Sequence, residues 1–287
     1  MANIRLIRRR IRGIKNISKI TKAMEMIAAS KMRKAQDRGV AGRPYREKIT
    51  QVIASLAALP LEAGISPLLQ VRTPCRRIEV VHITPDRGLS GGLVSNMNRK
   101  TASFILEEGV PASVVAVGRK GLEFMRRTSQ DLVAEFTNLG DKPGFLQTLP
   151  ISRIVIDDFT SGKVDAVYIA YAQFVSTAVQ TPVVKKLLPV TPAPATAGLM
   201  QDYIFEPDSS SVLNALLPRY VEMLVYLAIL ESIASEQSAR MMAMRNATDN
   251  AEELITDLTL VYNKARQESI TTELLDIIGG AAALAQS

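Results

Sequence analysis

The chain has 287 residues, of which 47% are hydrophobic and only 5% aromatic, and it carries a net charge of +7. It is therefore long enough for one or two domains with a real core, and too hydrophobic to be disordered. Its single cysteine, Cys75, excludes an internal disulfide and any multi-cysteine metal site. Its single histidine, His82, leaves little material for histidine-based catalysis. The chain is poor in the residues from which active sites are built.

A helical pattern of isoleucine and methionine opens the chain. Apolar residues step along one helical face at Ile4, Ile7, Ile11, Ile14, Ile17, Ile20, Met24 and Ile27. The pattern continues to about Gln36 and resumes from Tyr45 to Leu59. Because a proline ring clashes with the helical turn before it, we expect a kink or short break near Arg43–Pro44.

The first 34 residues are strongly basic, with Glu25 as their only acidic residue. A run of like charges is commonly a solvated helix face, but charge this one-sided favours an acidic partner. Nucleic acid is one candidate, yet no aromatic residues lie among these charges to stack on bases. An acidic protein surface fits this segment better.

The middle of the chain, from Arg76 to Val190, alternates short β-branched runs with helical patterns. The predicted strands are Ile78–Thr84, Val114–Val117, Leu132–Phe136 and Ala166–Phe174, and the predicted helices are Ser95–Glu107, Gly121–Thr128 and Ser152–Phe159. Such alternation predicts parallel strands joined by right-handed crossovers, a small doubly wound α/β domain. A last strand at Val183–Val190 is expected to form a hairpin with Ala166–Phe174.

The C-terminal part has the longest helical pattern. Residues Arg219–Ile278 contain neither glycine nor proline, which predicts a helix of roughly 90 Å. The alternative is several shorter helices joined by polar turns, for example at Asn246–Asn250. The predicted pairing seam consists of Ala251, Leu254, Leu258, Val261 and Ala265. We expect Asp208 or Ser209 to cap the start of the helix, with Pro218 as a kink in an early turn.

The two terminal helices are predicted to pair antiparallel, with the rest of the chain inserted between them. The fold class is therefore α/β plus a long α-helical coiled coil. The predicted divisions are 1–60 for the first helix, 61–75 for a linker, 76–191 for the α/β domain, 192–208 for a linker and foot, and 209–287 for the last helix. No apolar run is long enough to span a bilayer without interruption. No secretory signal is predicted, because Arg8–Arg10 are followed by further charge.

The segment Thr84–Gly92 lies between a strand and a helix, where nucleotide-binding folds hold phosphate. Its glycines match neither the G-x-G-x-x-G nor the Walker pattern, so a structural turn is favoured. We interpret His82 as a core or edge residue. Asp157 and Asp158 are adjacent and point in different directions, which makes a poor acid–base pair. The sequence predicts no catalytic, cofactor or metal site.

The last residues, among them Ile277, Ile278 and Leu284, form an almost uncharged tip. A frayed terminus is one interpretation. The other is an end that turns in a hydrophobic socket, because an apolar contact without directional bonds has shallow energy wells against rotation.

Five motifs together resemble one family. They are NISKITKAMEMIAASKMRKAQ (Asn16–Gln36), TPDRGLSGGL (Thr84–Leu93), YIFEPD (Tyr203–Asp208), SEQSARMMAMRNATDNA (Ser235–Ala251) and VYNKARQESITTELLDIIGGAAAL (Val261–Leu284). In this order they closely resemble the gamma subunit of F-type ATP synthases.

The resemblance implies a central rotor stalk inside a ring of three alpha and three beta subunits. A Rossmann-like domain at its base would lie beside the epsilon subunit and on the membrane c-ring. Rotation of the c-ring would be transmitted to the beta subunits, where ATP forms from ADP and phosphate, and ATP hydrolysis would drive the reverse. The chain itself would have no active site and no cofactor, and would contact neither nucleic acid nor, except through the c-ring, membrane. Because no transit peptide is visible, we expect the cytoplasmic face of a bacterial plasma membrane, with a mature mitochondrial chain as the alternative.

The resemblance also assigns individual residues. The positions that match the family's contacts with the beta subunits are Met24, Arg240, Arg266, Gln267, Thr271 and Glu273. Met24 matches a position facing an acidic beta-subunit lever, and Arg266 and Gln267 match a pair that meets a catch loop. Glu206 matches the foot near the c-ring, and the apolar tip would turn in the sleeve at the top of the ring.

Two other functions remain open from the residues alone. The basic first helix could be a scaffold on nucleic acid or anionic membrane, in which case binding would be tight and salt-sensitive. The loop Gly88–Gly92 could be a nucleotide site, in which case the isolated chain would bind nucleotide stoichiometrically.

Overall fold

The computed structural model describes residues 4–57, 66–192, 206 and 208–285, with side chains as far as residue 281. Five long helices and five strands occur in these ranges. They are α1 (Ile4–Ala57), β1 (Ile78–Ile83), α2 (Leu93–Glu108), β2 (Ala112–Val117), α3 (Arg119–Arg127), β3 (Asp131–Phe136), α4 (Phe145–Thr160), β4 (Ala166–Phe174), β5 (Gln180–Leu188) and α5 (Ser209–Ala285), with a 3-10 turn at Pro67–Leu69. The chain forms two compact units, residues 1–27 with 241–287, and residues 28–240.

The second unit contains a five-stranded sheet in the order β3-β2-β1-β4-β5. Strands β1, β2, β3 and β4 are parallel, and β5 pairs antiparallel with β4. The predicted doubly wound domain and its closing hairpin are thus confirmed. The hairpin strand begins at Gln180, three residues before the predicted start, and ends at Leu188.

Both faces of the sheet are covered, as a parallel sheet requires. Every residue of β1 is buried, including the polar Glu79 and His82. One face packs against α1, α4 and α5, with Leu56, Phe159 and Leu217 among the fully buried side chains. The other face packs against α2.

The first helix does not break at Pro44, so that part of the prediction was wrong. Helix α1 continues from Ile4 to Ala57 with Pro44 inside it. A proline in a helix costs about 3 kcal/mol. Burial on both sides of it, at Ala35 and at Ile49 and Ile53, offsets this cost. The sequence showed the local penalty but not the packing that outweighs it.

The last helix is also continuous. Helix α5 includes Pro218 and passes through Asn246–Asn250 without a turn, so the alternative of several shorter helices is wrong. Its start is capped by Asp208, whose Oδ1 accepts a 2.8 Å hydrogen bond from the Ser211 backbone N–H. This confirms one of the two predicted caps.

The two terminal helices run antiparallel. In the first unit, Thr21 of α1 is hydrogen-bonded to Thr248 of α5. In the second unit, a Cβ atom at Gly42 of α1 would lie 2.9 Å from Leu227 Cδ2 of α5. Gly42 comes later in α1 than Thr21, whereas Leu227 comes earlier in α5 than Thr248, so the two helices run in opposite directions. The predicted antiparallel pair with an inserted α/β domain is confirmed, while the predicted divisions around 61–75 and 192–208 lie partly outside the described residues and stay a prediction.

Candidate functional site

The helix pair of the first unit has a seam that differs from the predicted one. On α5 the residues turned away from solvent are Ala251, Ile255, Leu258, Tyr262 and Ala265. Leu254 and Val261, which were predicted in the seam, are exposed. Each has an apolar neighbour one residue later, so the sequence pattern alone fitted either assignment.

The seam of α1 changes its character along the helix. It follows the predicted residues Ile4, Ile7, Ile11 and Ile14, and then continues through Ser18 and Thr21. Small and polar side chains thus replace isoleucine in this stretch of the seam. The apolar face predicted from Ile4 to Ile27 therefore does not coincide with the seam. Ile17, Ile20 and Ile27 are exposed, because heptad spacing and not hydrophobicity decides which residues face the partner helix.

The displaced isoleucines form an exposed stripe on α1. Ile17, Ile20 and Ile27 are 53%, 59% and 54% exposed. Met24 is half-buried on the same helix. The steps of three and four residues place these side chains on one helical face. We call Ile17, Ile20, Met24 and Ile27 the outer stripe.

A polar pair lies in the seam opposite α5. Thr21 and Thr248 are both buried, and their hydroxyl oxygens are 2.7 Å apart. The Thr21 hydroxyl is also 3.0 Å from the Ser18 carbonyl oxygen, and the Thr248 hydroxyl 2.9 Å from the Met244 carbonyl oxygen. The hydrogen bond between the two hydroxyls exists in only one register of the two helices, and in another register each hydroxyl would keep only its bond within its own helix.

The predicted coupling residues at the end of α5 lie together on the helix surface. Arg266, Gln267, Thr271 and Glu273 are all exposed within about two turns. The Thr271 hydroxyl donates to the Gln267 carbonyl oxygen at 2.9 Å, and Ser269 Oγ donates to Glu273 Oε1 at 3.3 Å. The predicted tip residues Ile277 and Ile278 are exposed as well. The side chain of Leu284 lies outside the described residues.

Arg240, the sixth predicted coupling residue, belongs to the second unit, and its side chain is only 12% exposed. Its guanidinium donates to Glu236 Oε1 at 2.6 Å and to the Gly88 carbonyl oxygen at 3.1 Å. The Arg87 carbonyl oxygen is 3.5 Å away. Burial raises the pKa of Glu236, and the nearby Arg240 charge acts in the opposite direction. Arg240 therefore joins α5 to the loop after β1.

Two further hydrogen bonds join both terminal helices to a loop of the α/β domain within the second unit. Asp141 lies in the loop between β3 and α4. Its Oδ2 accepts from Lys31 Nζ of α1 at 2.6 Å, and its Oδ1 accepts from Gln237 Nε2 of α5 at 3.2 Å. The sequence gives no signal for these partners, because they are separated by about a hundred residues or more.

A doubly wound fold usually binds its ligand at the carboxyl ends of its strands, and after β1 and β2 the chain itself takes up the first N–H groups of α3. The first N–H groups of α3 donate to Asp86 Oδ1, the Pro85 carbonyl oxygen and the Thr84 hydroxyl at 3.0, 3.1 and 2.8 Å. Gly118 permits this close approach, because it has a φ of 94° and a Cβ atom there would lie 1.8 Å from the Thr84 carbonyl oxygen. The segment Thr84–Gly92 thus serves as a structural turn toward α3.

His82 lies in the core, as the sequence suggested. Its ring nitrogens are each 3.0 Å from a partner, Asn98 Oδ1 and Thr101 Oγ1. Complete burial lowers the pKa of His82 to about 4, so the ring is neutral near pH 7. No group of three or more His, Cys, Asp or Glu residues suited to a metal occurs within the described part of the chain.

Glu79 is a buried carboxyl group that sequence reasoning missed. It is fully buried in β1, and neither carboxyl oxygen has a hydrogen-bond partner. Burial, followed by the nearby charge of Asp158, raises the pKa of Glu79 to about 7. The sequence pattern at Glu79 predicted a buried strand, and it did not single out this carboxyl group.

A cleft of about 760 Å³ in the second unit is lined by α1, β4, β5 and α5. Its walls carry both signs of charge, including Arg43, Lys185 and Glu231. Lys185 Nζ donates to the Tyr171 hydroxyl at 3.0 Å. The cleft presents no nucleophile with an adjacent base, and it does not point to one chemistry.

These features define a class of proteins whose two long terminal helices pair antiparallel. In the sequence, a doubly wound domain is inserted between these helices. The family model described as ATP synthase matches residues 3–284. An ATP synthase gamma chain from Dehalococcoides mccartyi (strain ATCC BAA-2266 / KCTC 15142 / 195) is 68% identical, covering 99% of this chain and 100% of its own. One from Roseiflexus castenholzii is 51% identical over the full length of both. The chain belongs to the ATP synthase gamma-chain family.

Solved structures agree on the fold. The central stalk and c-ring of the Tetrahymena thermophila mitochondrial ATP synthase includes a chain that aligns with a TM-score of 0.60 and 26% identity, covering 79% of this chain and 99% of that one. A rotor chain of the Euglena gracilis mitochondrial ATP synthase aligns with a TM-score of 0.65 and 21% identity, covering 93% and 98%.

One stretch passes a composition test for a membrane span. Within Ser209–Ala281, an 18-residue window has a mean hydropathy of 1.4, and 39% of it is buried in the protein. Core helices of soluble proteins pass the same test. A single such window is weak evidence for a span. Early in α5, Leu213, Val221 and Val225 are fully buried.

Proposed function

We propose that this chain is the central rotor stalk of a proton-translocating F-type ATP synthase. It transmits rotation of the membrane c-ring to the catalytic beta subunits, which make ATP from ADP and phosphate, and the process reverses with ATP hydrolysis. Its partners are three alpha and three beta subunits, the epsilon subunit and the c-ring. It works at the cytoplasmic face of a bacterial plasma membrane, which it meets only through the c-ring.

The observation that carries this proposal is the surface of α1 in the first unit. The outer stripe leaves isoleucine exposed on a helix whose seam already has a partner, and Lys15, Lys19 and Lys22 are exposed on another face of the same helix. A helix that exposes both an apolar stripe and several cations is typical of one that contacts an acidic protein partner. A surrounding ring of subunits with acidic loops would cover such a surface.

The chain contributes no catalytic group of its own in this proposal. Its histidine is buried and hydrogen-bonded, and the start of α3 is bonded to the chain's own turn. Catalysis would take place on the beta subunits, and this chain would supply position and force.

Individual residues have proposed roles in coupling. Met24, Arg266 and Gln267 would meet the beta subunits, together with Thr271 and Glu273. These assignments are supported by exposure on the helix surfaces, since the four residues of α5 are exposed and Met24 is half-buried. Arg240 belongs to the same proposed set.

The remaining proposed contacts lie at the foot and the tip. Glu206 is exposed, and it would lie near the c-ring. The apolar tip, of which Ile277 and Ile278 are described, would turn in the sleeve of the ring.

The experiment that tests the function is reconstitution. The full chain, expressed with alpha and beta subunits from the same organism, should copurify with a three-fold alpha–beta ring and raise its ATP turnover. The isolated chain should hydrolyse no ATP. Absence of the chain from the ring, together with tight and salt-sensitive binding to DNA or anionic vesicles, would overturn the proposal.

The coupling residues have a sharper test. Replacing Gln267 by alanine should lower ATP turnover of the assembled complex while leaving its subunit composition unchanged, because Gln267 is exposed and packs against nothing in the core. The matched control is Glu268→Ala at the neighbouring exposed position. A normal rate for Gln267→Ala would remove this residue from the coupling contact.

A further inference from the structure

Arg240 differs from the predicted coupling residues near the end of α5, because its side chain is largely buried and its Nη2 group is hydrogen-bonded within the chain. It is 12% exposed, and its guanidinium bonds both to Glu236 and to the Gly88 carbonyl oxygen. Because Nη2 has these partners, a direct contact with another subunit would be limited to the small part of the side chain that is exposed.

Glu236 fixes the direction of the Arg240 side chain. The two residues are one helical turn apart on α5, and the carboxylate is itself only 14% exposed. A charge-assisted hydrogen bond in such surroundings is stronger than one at an open surface. Arg240 is thereby held in place to donate to the loop after β1.

The same loop is anchored at a second point. Asp86 accepts from the Arg119 backbone N–H at 3.0 Å and from the Asn138 backbone N–H at 2.9 Å. Asp86 thus joins the loops that follow β1, β2 and β3. Arg240 bonds the loop after β1 to α5, beside the hydrogen bond that Gln237 of α5 donates to Asp141 in the loop after β3.

The tip of the loop, Arg87–Leu89, is exposed to solvent around the anchors at Asp86 and Gly88. Arg87 and Gly88 are exposed, and Leu89 is 64% exposed with a φ of 65°. A leucine in the left-handed region costs roughly 1 kcal/mol or more. Such a conformation persists when the surrounding structure fixes it.

We propose that Arg240 is a positioning residue for coupling, and that it acts by holding the tip Arg87–Leu89 in a fixed place relative to α5. This inference rests on the proposed rotor function. Force that passes between the α/β domain and α5 is then carried partly by the Arg240–Gly88 hydrogen bond. Loss of Arg240 lets the tip move without removing any group from the helix surface.

The first test measures the loop itself. The full chain with Cys75→Ser and Leu89→Cys carries one spin label at the tip, in the free chain and in the assembled complex. Arg240→Gln would leave Glu236 buried without its partner, so the double variant Glu236→Gln/Arg240→Gln is compared with Glu236→Gln alone. We expect the double variant to shift the ratio of mobile to immobile label by about tenfold, the value of one charge-assisted hydrogen bond.

The second test measures coupling in membranes that contain the assembled complex. The double variant should pump fewer protons per ATP hydrolysed, and Arg240→Lys, which keeps a cationic donor, should restore part of the ratio. Arg245→Gln is the matched control, because Arg245 is an exposed arginine of the same helix. It should change neither the label nor the ratio.

The outcomes separate the two proposals. An immobile tip in the double variant, with pumping still reduced, would overturn the inference in favour of a direct contact by Arg240. A mobile tip with normal pumping would also overturn it, because the tip position would then not matter. Failure of the unmodified chain to assemble with alpha and beta subunits would defeat the rotor function instead, while the label on the free chain would still report whether Arg240 holds the loop.

Discussion

Thr21 and Thr248 are separated by 227 residues in the chain, yet their hydroxyl oxygens are 2.7 Å apart in a buried seam between the two terminal helices. The pair occupies a place where the sequence pattern favoured isoleucine. A polar pair in a helix seam stabilises little by itself, but it favours the register in which the two hydroxyls meet. This contact favours one register of the two terminal helices in the first unit. It also allows a direct test of whether the two helices rotate as one body.

A disulfide between these positions should leave the motor working. In a Cys75→Ser background, Thr21→Cys/Thr248→Cys should form an intrachain crosslink on oxidation, because the two side chains meet. Both helices belong to the same rotor in the proposed function, so ATP hydrolysis and proton pumping of the assembled complex should change less than about twofold, within 0.5 kcal/mol. Crosslinking is measured by the shift in gel mobility and activity by turnover.

The single variants Thr21→Cys and Thr248→Cys are the controls for that crosslink. Arrest of hydrolysis on oxidation of the double variant, reversed by reductant, would mean that the two helices must move against each other, contrary to the rotor proposal.

The outer stripe should matter for assembly and not for folding. Ile20→Ser removes an exposed side chain, so the free energy of unfolding of the free chain should change by less than about 0.5 kcal/mol. Ile7→Ser removes a buried side chain of the seam and should cost about 2 kcal/mol or more. Urea unfolding measures both.

In the complex, Ile20→Ser should weaken binding to the alpha–beta ring, since an exposed isoleucine covered by a partner loses its contact. Equal affinity of Ile20→Ser and the unmodified chain would show that the outer stripe faces solvent in the assembly.

Gly118 should be far less replaceable than another glycine with positive φ. Gly118→Ala would place its Cβ 1.8 Å from the Thr84 carbonyl oxygen, so the turn between β2 and α3 must move. We expect a loss of more than about 3 kcal/mol or failure to fold. Gly109→Ala is the control, because Gly109 has a φ of 65° but nothing lies within 4 Å of its added Cβ. It should cost about 1 kcal/mol, and equal losses for the two variants would contradict the close approach.

Glu79 should make the stability of the chain depend on pH. Burial raises the pKa of Glu79 from 4.5 to about 7, so the folded chain keeps a proton that the unfolded chain releases in this range. The stabilisation is fully present below pH 4.5 and is lost as the pH rises to about 7. The loss amounts to about 3 kcal/mol.

The measurement is the difference in free energy of unfolding between the unmodified chain and Glu79→Gln from pH 4 to 8. His82 contributes a slope of the opposite sign between about pH 4 and 6.5, because its pKa is lowered by burial, and this slope cancels in the difference. Glu107→Gln, at an exposed position, is the control. A difference that does not vary with pH would show that the Glu79 carboxyl titrates normally.

Much of the architecture followed from patterns that depend on neighbouring residues. The alternation of strands and helices predicted the order of elements from β1 to β5, and the long stretch without glycine or proline predicted α5. The five motifs identified the family. These predictions succeeded because backbone preference and hydrophobic spacing act over a few residues, so the sequence contains them directly.

Tertiary structure decided the rest. Pro44 stays inside α1 because burial on both sides offsets its local cost, and Ile17 and Ile20 turn outward because the partner helix sets which residues face it. Glu79 keeps an unpartnered carboxyl because α4 and the sheet enclose it. Arg240 bonds to Gly88 only because α5 passes the carboxyl ends of the strands. In each case the deciding neighbour is distant in the chain, and its free energy of contact is comparable to or larger than the local preference that the sequence displays.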